Sequence, residues 1–365
     1  MRTHTLLIIG GHPTPALSVI DEASKHFPQI KIIFAGRKFM NASETSHTFE
    51  YDEVSKRGIE FVPVSYLRGW KGLITFLQAL FASLKILNKY RPQALLSFGG
   101  YIALPFVCAA WLSRIPVYTH EQTAVMGTAN QFICALAKKV FVSFREKNLD
   151  TVSSKYIYTG NPIRNQILQP PSQISFEIPS DKPILFVTGG NLGSHSINLM
   201  IFELIPKLIK TFTIVHQIGN VAEYGDLEKG KAIQKSTKDT YRHAYIPVPH
   251  LSSEELSHVF SKSSMVVSRS GANTFFELIA TQKPCVLIPL PWSAHGEQRK
   301  HAQILANAGV GEVCEQTAGT AKLHEVIMHV FNNRSKYLEK YPTLQHLYVP
   351  DAAHAIIEAI VFPTT

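Results

Sequence analysis

The chain has 365 residues, 45% hydrophobic and 17% charged, a balance that excludes a disordered protein and leaves room for two large cores. Its formal charge of +9 favours an anionic partner (phosphates, nucleic acid or an acidic membrane face), unless it reflects a generally basic proteome. Cys108, Cys134, Cys285 and Cys314 form no CxxC and read as buried small hydrophobes of a reducing compartment, 16 histidines form no metal-ligand spacing, and no apolar run spans a bilayer or makes a signal peptide.

The N-terminal half alternates short apolar runs with helical patterns. Residues 5–9 read as a strand ending in Gly10, Gly11 and His12, a helix follows over 16–25, and 31–35 is the next strand. The segment 66–91 is rich in Leu, Ile and Phe yet carries Arg68, Lys71, Lys85, Lys89 and Arg91, with Trp70 near its start. One face of it is buried. The rest reads as core packing or as an amphipathic surface suited to anionic lipid headgroups. Strands at 94–97, 117–120 and 140–144 continue the pattern. The first ends in Gly99, Gly100 and Tyr101, the second in His120 and Glu121. Gly160, Asn161, Pro162, Ile163 and Arg164 interrupt it, and 169–183 reads as a linker. The pattern restarts with strands at 184–187, 214–217, 245–247, 265–268 and 286–288. This alternation predicts two successive α/β units, each a parallel sheet with helices on both faces, separated by a cleft and binding ligands at the carboxyl ends of the strands.

Four glycine loops fall at those ends: Gly10 and Gly11; Gly99 and Gly100; Gly189, Gly190, Asn191, Leu192 and Gly193; and Gly271 after Arg269 and Ser270. Neither GxGxxG nor a GxxxxGK followed by Ser or Thr occurs, so neither a dehydrogenase cofactor site nor a P-loop is indicated. The fourth loop is the most informative. Glycine admits a close ligand, the helix over 273–280 offers unpaired N–H groups and a positive dipole end, and Arg269 adds permanent charge. Glu277 lies in the first turns of that helix, where it can accept hydrogen bonds from sugar hydroxyls. A nucleotide diphosphate fits this set, and so does an ordinary βαβ turn with a surface arginine. His12 reads as a general base or a helix cap. Arg164 reaches a phosphate or lies on the surface. Gln298 binds sugar hydroxyls or opens a helix. His120 and Glu121 orient a substrate hydroxyl or close a loop. No DxD motif is present and no metal is expected.

The ordered set GGHPTPAL (10–17), SFGGYIALP (97–105), HEQTAVMGTAN (120–130), TGNPIR (159–164), TGGNLGSHSIN (188–198) and SRSGANTFFE (268–277), with residues 289–298, resembles the bacterial UDP-N-acetylglucosamine–N-acetylmuramyl-(pentapeptide) pyrophosphoryl-undecaprenol N-acetylglucosamine transferases over nearly the whole chain. The resemblance implies a GT-B fold of two Rossmann-like domains facing across a cleft. Residues 1–163 are expected to form an acceptor- and membrane-facing domain, completed by a C-terminal helix within 345–365, and residues 164–344 a donor domain. It implies inverting transfer of N-acetylglucosamine from UDP-N-acetylglucosamine to an undecaprenyl-pyrophosphate-linked acceptor (lipid I to lipid II) in peptidoglycan synthesis. The expected place is the cytoplasmic face of an anionic membrane, with no cofactor and no nucleic-acid partner.

By matching motif, Glu277 holds the ribose hydroxyls, Ser270, Gly271, Ala272 and Asn273 surround the diphosphate, Arg164 adds charge near it, Gln298 contacts the sugar, and His12 lies between donor and acceptor. Asn191 and Arg269 join the donor side. Gly10, Gly11, Gly99, Gly100, Tyr101, His120, Glu121 and Thr123 form the acceptor side. Four motifs depart from the family pattern. GGTGGH is shortened to GGH at Gly10, HEQN has Thr123 as its last residue, GGSQG reads GGNLG with Asn191 and Leu192, and the HQ or QQ pair is Glu297 and Gln298. These departures leave open a related transferase with another lipid acceptor such as diacylglycerol, a UDP-sugar epimerase, and a non-catalytic sugar-nucleotide or lipid-binding protein.

Overall fold

A computed structural model describes residues 4–39, 47–64, 72–145, 154–179, 181–219 and 221–362. The chain divides into two compact units, one of residues 1–164 with 349–365, the other of residues 165–348.

The first unit holds seven parallel strands: β1 (His4–Ile9), β2 (Ile30–Gly36), β3 (Glu60–Pro63), β4 (Ala94–Ser97), β5 (Val117–Glu121), β6 (Lys139–Val142) and β7 (Tyr156–Tyr158), in the order β3-β2-β1-β4-β5-β6-β7. Side chains alternate across a strand, so Leu7 and Ile9 enter one core and Leu6 and Ile8 the other. A central parallel strand buried on both faces needs an unbroken apolar run, which is why LLII shows so clearly in the sequence. The C-terminal helix Ala352–Val361 buries Ile356 and Ile357 in the same core as Leu17 and Ile20 of the helix Pro13–His26. His354 Nδ1 lies 2.8 Å from Glu22 Oε1 at the rim of that contact.

The second unit holds six: β8 (Ile184–Thr188), β9 (Thr213–Gln217), β10 (Tyr245–Val248), β11 (Ser263–Ser268), β12 (Cys285–Leu287) and β13 (Gly311–Val313), all parallel, in the order β10-β9-β8-β11-β12-β13. A buried polar chain ties its helix His195–Leu208 to the sheet. Asn198 Nδ2 donates to the Ile218 carbonyl (3.0 Å) and to Asp226 Oδ2 (2.8 Å), which leaves its Oδ1 to accept from His216 Nε2 at 3.1 Å. The other nitrogen of His216 then accepts from the Tyr245 hydroxyl at 3.1 Å. Burial holds the His216 pKa down at about 3, so this chain of bonds is made by a neutral ring.

In both sheets the strand order reverses beside the first strand, between β1 and β4 and between β8 and β11. Loops leaving such neighbours turn to opposite faces and open a crevice at the carboxyl ends of the strands. Three strands, β3, β7 and β13, carry no strand signal in the sequence, and all three are sheet edges. An edge strand is short and only partly covered: every residue of β7 is half-buried, and β3 ends in Pro63, which an edge tolerates because no neighbour needs its missing N–H. Cys108 is half-buried rather than a core residue, while the other three cysteines are buried.

Candidate functional site

In the first unit, the loops after β1 and β4 close on each other. Phe98 N–H donates to the Ile9 carbonyl at 2.8 Å and Gly11 N–H to the Gly99 carbonyl at 3.0 Å. A Cβ on Gly10 would sit 2.6 Å from Phe98 Cβ, so this approach requires glycine there. Gly99 and Gly100 have φ of 75° and 80°, and a Cβ on Gly99 would also lie 2.4 Å from Asn130 Oδ1. Tyr101 is exposed.

His12 occupies the N-cap position of the helix Pro13–His26, but its side chain makes no capping bond. Its Nδ1 instead lies 2.9 Å from the Phe98 carbonyl. A carbonyl only accepts, so Nδ1 carries the proton and Nε2 the lone pair. That tautomer suits a general base, and it is fixed by the β4 loop.

His120 and Glu121, at the end of β5, are both buried. His120 Nε2 lies 3.1 Å from the Gly160 carbonyl and 3.2 Å from Ser143 Oγ. Burial holds its pKa at about 4, so the ring is neutral. Glu121 Oε1 accepts from Thr123 N–H (2.9 Å) and from Thr123 Oγ1 (2.6 Å), and its Oε2 accepts from Asn130 Nδ2 at 2.7 Å. Of the two readings of this pair, these bonds favour loop closure. Asn130, which sequence reasoning did not single out, stands on the helix Thr128–Leu136 and packs beneath Gly99. Arg164, at the end of the Gly160 run, is buried.

In the second unit, the loops after β8, β11 and β12 converge. Gly189 and Gly193 are required by packing, since added Cβ atoms would sit 2.3 Å from Ser194 N and 1.9 Å from the Ile218 carbonyl. Gln217 Nε2 donates to the Gly190 carbonyl at 2.8 Å. Asn191 is half-buried and Leu192 exposed. Arg269 is buried, not the surface arginine of the simpler reading. Its Nη1 donates to the Ile288 and Pro289 carbonyls (3.0 and 3.3 Å), and its Nη2 to Ser194 Oγ (2.9 Å), Ser196 Oγ (2.7 Å) and Gln316 Oε1 (2.6 Å). Burial lowers its pKa to about 10, still far above neutrality, so the guanidinium stays charged.

Ser270 is buried, and its hydroxyl donates to the Gln298 carbonyl at 2.7 Å. Its own carbonyl lies 3.0 Å from His301 Nδ1, and burial keeps that imidazole neutral with a pKa of about 4. The hydroxyl proton and the carbonyl of Ser270 are therefore both engaged within the protein. Gly271 is the N-cap of the helix Ala272–Thr281, with an ordinary φ of −64°, and an added Cβ would meet nothing within 4 Å. Neither conformation nor packing asks for glycine here. What the missing side chain provides is access to the helix start, towards which the first main-chain N–H groups of a helix point. Glu277 is buried one turn further on. Gln298 is the second residue of the helix Glu297–Asn307, and its Oε1 accepts from Leu290 N–H at 3.0 Å.

The first unit also carries an apolar surface. Leu73, Ile74 and Phe81 of the helix Leu73–Tyr90, Trp111 and Leu112 at the end of the helix Ala103–Leu112, and Phe132 are all exposed. Leu73, Phe76, Leu104 and Phe132 line one open cavity of about 460 Å³. Lys85, Lys89 and Arg91 are exposed as well. The part of the amphipathic reading that rests on Arg68, Trp70 and Lys71 lies outside the described residues. Among the described residues, no helix is long and apolar enough to cross a membrane.

Residues 7–142 match the glycosyltransferase family 28 N-terminal domain and residues 184–356 its C-terminal domain. A UDP-N-acetylglucosamine–N-acetylmuramyl-(pentapeptide) pyrophosphoryl-undecaprenol N-acetylglucosamine transferase of Geobacter sulfurreducens is 32% identical over 97% of this chain and 96% of its own. One from Clostridium botulinum is 31% identical over 90% of each. The solved MurG structure of Acinetobacter baumannii superposes with a TM-score of 0.70 at 22% identity, over 98% of this chain and 99% of that one. The UDP-GlcNAc 2-epimerase of Neisseria meningitidis, bound to UDP-GlcNAc, superposes with 0.67 at 16% identity over the same shares. At those identities the two structures establish the GT-B fold alone.

Two outcomes follow from this geometry. Gly99→Ala, which meets both a left-handed φ and Asn130, is expected to cost about 2–4 kcal/mol in urea unfolding, whereas Gly271→Ala should cost less than about 1 kcal/mol. His120, His216 and His301 titrate at about 4, 3 and 4 in the fold against 6.5 for a free ring. The unfolded chain therefore binds more protons below pH 6.5, so stability is full above that value and falls steadily towards pH 4, as urea midpoints across that range will record.

Proposed function

The chain belongs to glycosyltransferase family 28, and from that membership we propose that it moves N-acetylglucosamine from UDP-N-acetylglucosamine to an undecaprenyl-pyrophosphate-linked muramyl-peptide, the reaction for which its relatives are named. One observation carries the reading. The opening at Gly271, where a helix begins without a side chain in front of it, comes two residues after Arg269, whose buried guanidinium pairs with no carboxylate among the described residues. Together they form a receptor for an anion at the carboxyl end of β11, the side of the fold that receives a nucleotide.

The chemistry is a single displacement. Nε2 of His12 takes the proton of the acceptor hydroxyl as that oxygen bonds to the anomeric carbon. The bond from that carbon to the β-phosphate oxygen breaks on the opposite face, its electron pair leaves with UDP, and configuration inverts. Negative charge grows on the departing diphosphate, where the N–H groups after Gly271 and the charges of Arg269 and Arg164 stabilise it. Glu277 takes the ribose hydroxyls and Gln298 the sugar, with Asn191 beside them. On the acceptor side the loops of Gly10, Gly11, Gly99 and Gly100 bring main-chain N–H groups to the acceptor's pyrophosphate. His120, Glu121 and Thr123 keep those loops in place. Residues 1–163 with the C-terminal helix then serve the acceptor and residues 164–344 the donor.

The exposed Leu73, Ile74, Phe81, Trp111 and Phe132, with Lys85 and Lys89 near them in sequence or on the same helix, support peripheral binding to an anionic membrane, at its cytoplasmic face where a UDP-sugar is available.

Labelled UDP-N-acetylglucosamine incubated with lipid I or with diacylglycerol tests the reading. A labelled product from lipid I is expected. Product from diacylglycerol alone reassigns the acceptor, epimerised donor without lipid product makes the protein an epimerase, and binding without conversion makes it a silent receptor. Under the proposed roles His12→Ala lowers kcat by about 100-fold or more with little change in UDP affinity, while Glu277→Ala shows the reverse pattern, a weaker UDP signal in calorimetry.

A further inference from the structure

Every acceptor that Arg269 meets is neutral: the Ile288 and Pro289 carbonyls, the Ser194 and Ser196 hydroxyls, and the Gln316 amide oxygen. Among the described residues, no carboxylate forms an ion pair with it. A buried arginine is ordinarily paired with a carboxylate, because an uncompensated charge in a low-dielectric site is costly. Here both terminal nitrogens have acceptors, and none of those acceptors carries a charge.

Gln316 sits at the centre of this arrangement. It opens the short 3-10 turn Gln316–Ala318 that follows β13. Its Oε1 accepts from Arg269 Nη2 at 2.6 Å and from Ser196 Oγ at 2.9 Å. A glutamate has the same shape and would form the usual ion pair at the same distance, neutralising the guanidinium. An amide fixes the guanidinium in position and leaves its charge intact.

We infer that Gln316 is a positioning residue of the donor site: it holds the Arg269 guanidinium in place without neutralising it, so that the diphosphate of the bound nucleotide is the anion that completes the pair. The inference rests on the reading of this loop cluster as the nucleotide-diphosphate site. It adds that the requirement at position 316 is for a neutral acceptor, and that selectivity for a diphosphate over an uncharged nucleoside depends on it.

The test compares calorimetric affinities of the full-length protein for UDP and for uridine, in wild type and in Gln316→Glu. The added carboxylate is expected to weaken UDP by about tenfold or more, to leave uridine unchanged, and to hold or raise the thermal midpoint. Wild-type binding of UDP should weaken with added salt more steeply than that of the variant. Ser196→Asp brings a carboxylate to the same guanidinium from another element and should act in the same direction, which keeps the test decisive if either variant folds poorly. Equal affinity of wild type and variants for UDP, or equal loss for UDP and uridine, overturns the role of Gln316 while leaving the donor site standing. A wild-type protein that binds UDP no better than uridine overturns both.

Discussion

The loops at the carboxyl ends of the second sheet depend on one buried cation. Arg269 joins the chain after β8, through Ser194 and Ser196, to the chain after β12, through the Ile288 and Pro289 carbonyls, and to the chain after β13, through Gln316. Three loops are tied together by five contacts from one planar group. The geometry is rigid because the guanidinium fork is rigid. The charge remains because none of the groups that hold it is negative.

The loops at the carboxyl ends of the first sheet are held by a buried carboxyl group in a similar way. Glu121 is buried, and both of its oxygens are taken by neutral donors, Thr123 and Asn130. Through Asn130 it reaches the underside of Gly99, whose carbonyl in turn receives Gly11 N–H. The Phe98 carbonyl, one residue earlier, sets the tautomer of His12. A run of short contacts thus connects a carboxyl group at the end of β5 to the imidazole at the end of β1. Thr123 supplies both its N–H and its hydroxyl to Glu121, so the residue that departs from the family's HEQN pattern still closes this loop.

Much of this was legible in the sequence. The inner strands were visible because burial on both faces demands continuous apolar runs, and the glycine loops were visible because they end those runs. Arg269, Gly271 and Glu277 could be placed together because they belong to one strand, one turn and one helix. Their relation to Gln316 could not be read, since it lies 47 residues beyond Arg269 in a turn with no motif of its own. Ser194 and Ser196 lay inside the quoted TGGNLGSHSIN stretch, but nothing local reveals that their hydroxyls face a guanidinium from another loop. Edge strands β3, β7 and β13 were silent because partial exposure relaxes the demand for apolar residues. The exposed Trp111 and Phe132 were hidden inside helical patterns that read equally well as core.

The amino-acid order by itself determined the architecture and the family, because periodicity, strand-end glycines and ordered motifs are local properties carried by neighbouring residues. The tertiary structure decided the chemical state of the side chains: which nitrogen of His12 holds the proton, that His120 and His301 are neutral, and that Arg269 is buried among neutral acceptors. Those states depend on desolvation and on hydrogen-bond partners brought from distant parts of the chain, and only the folded packing sets either one.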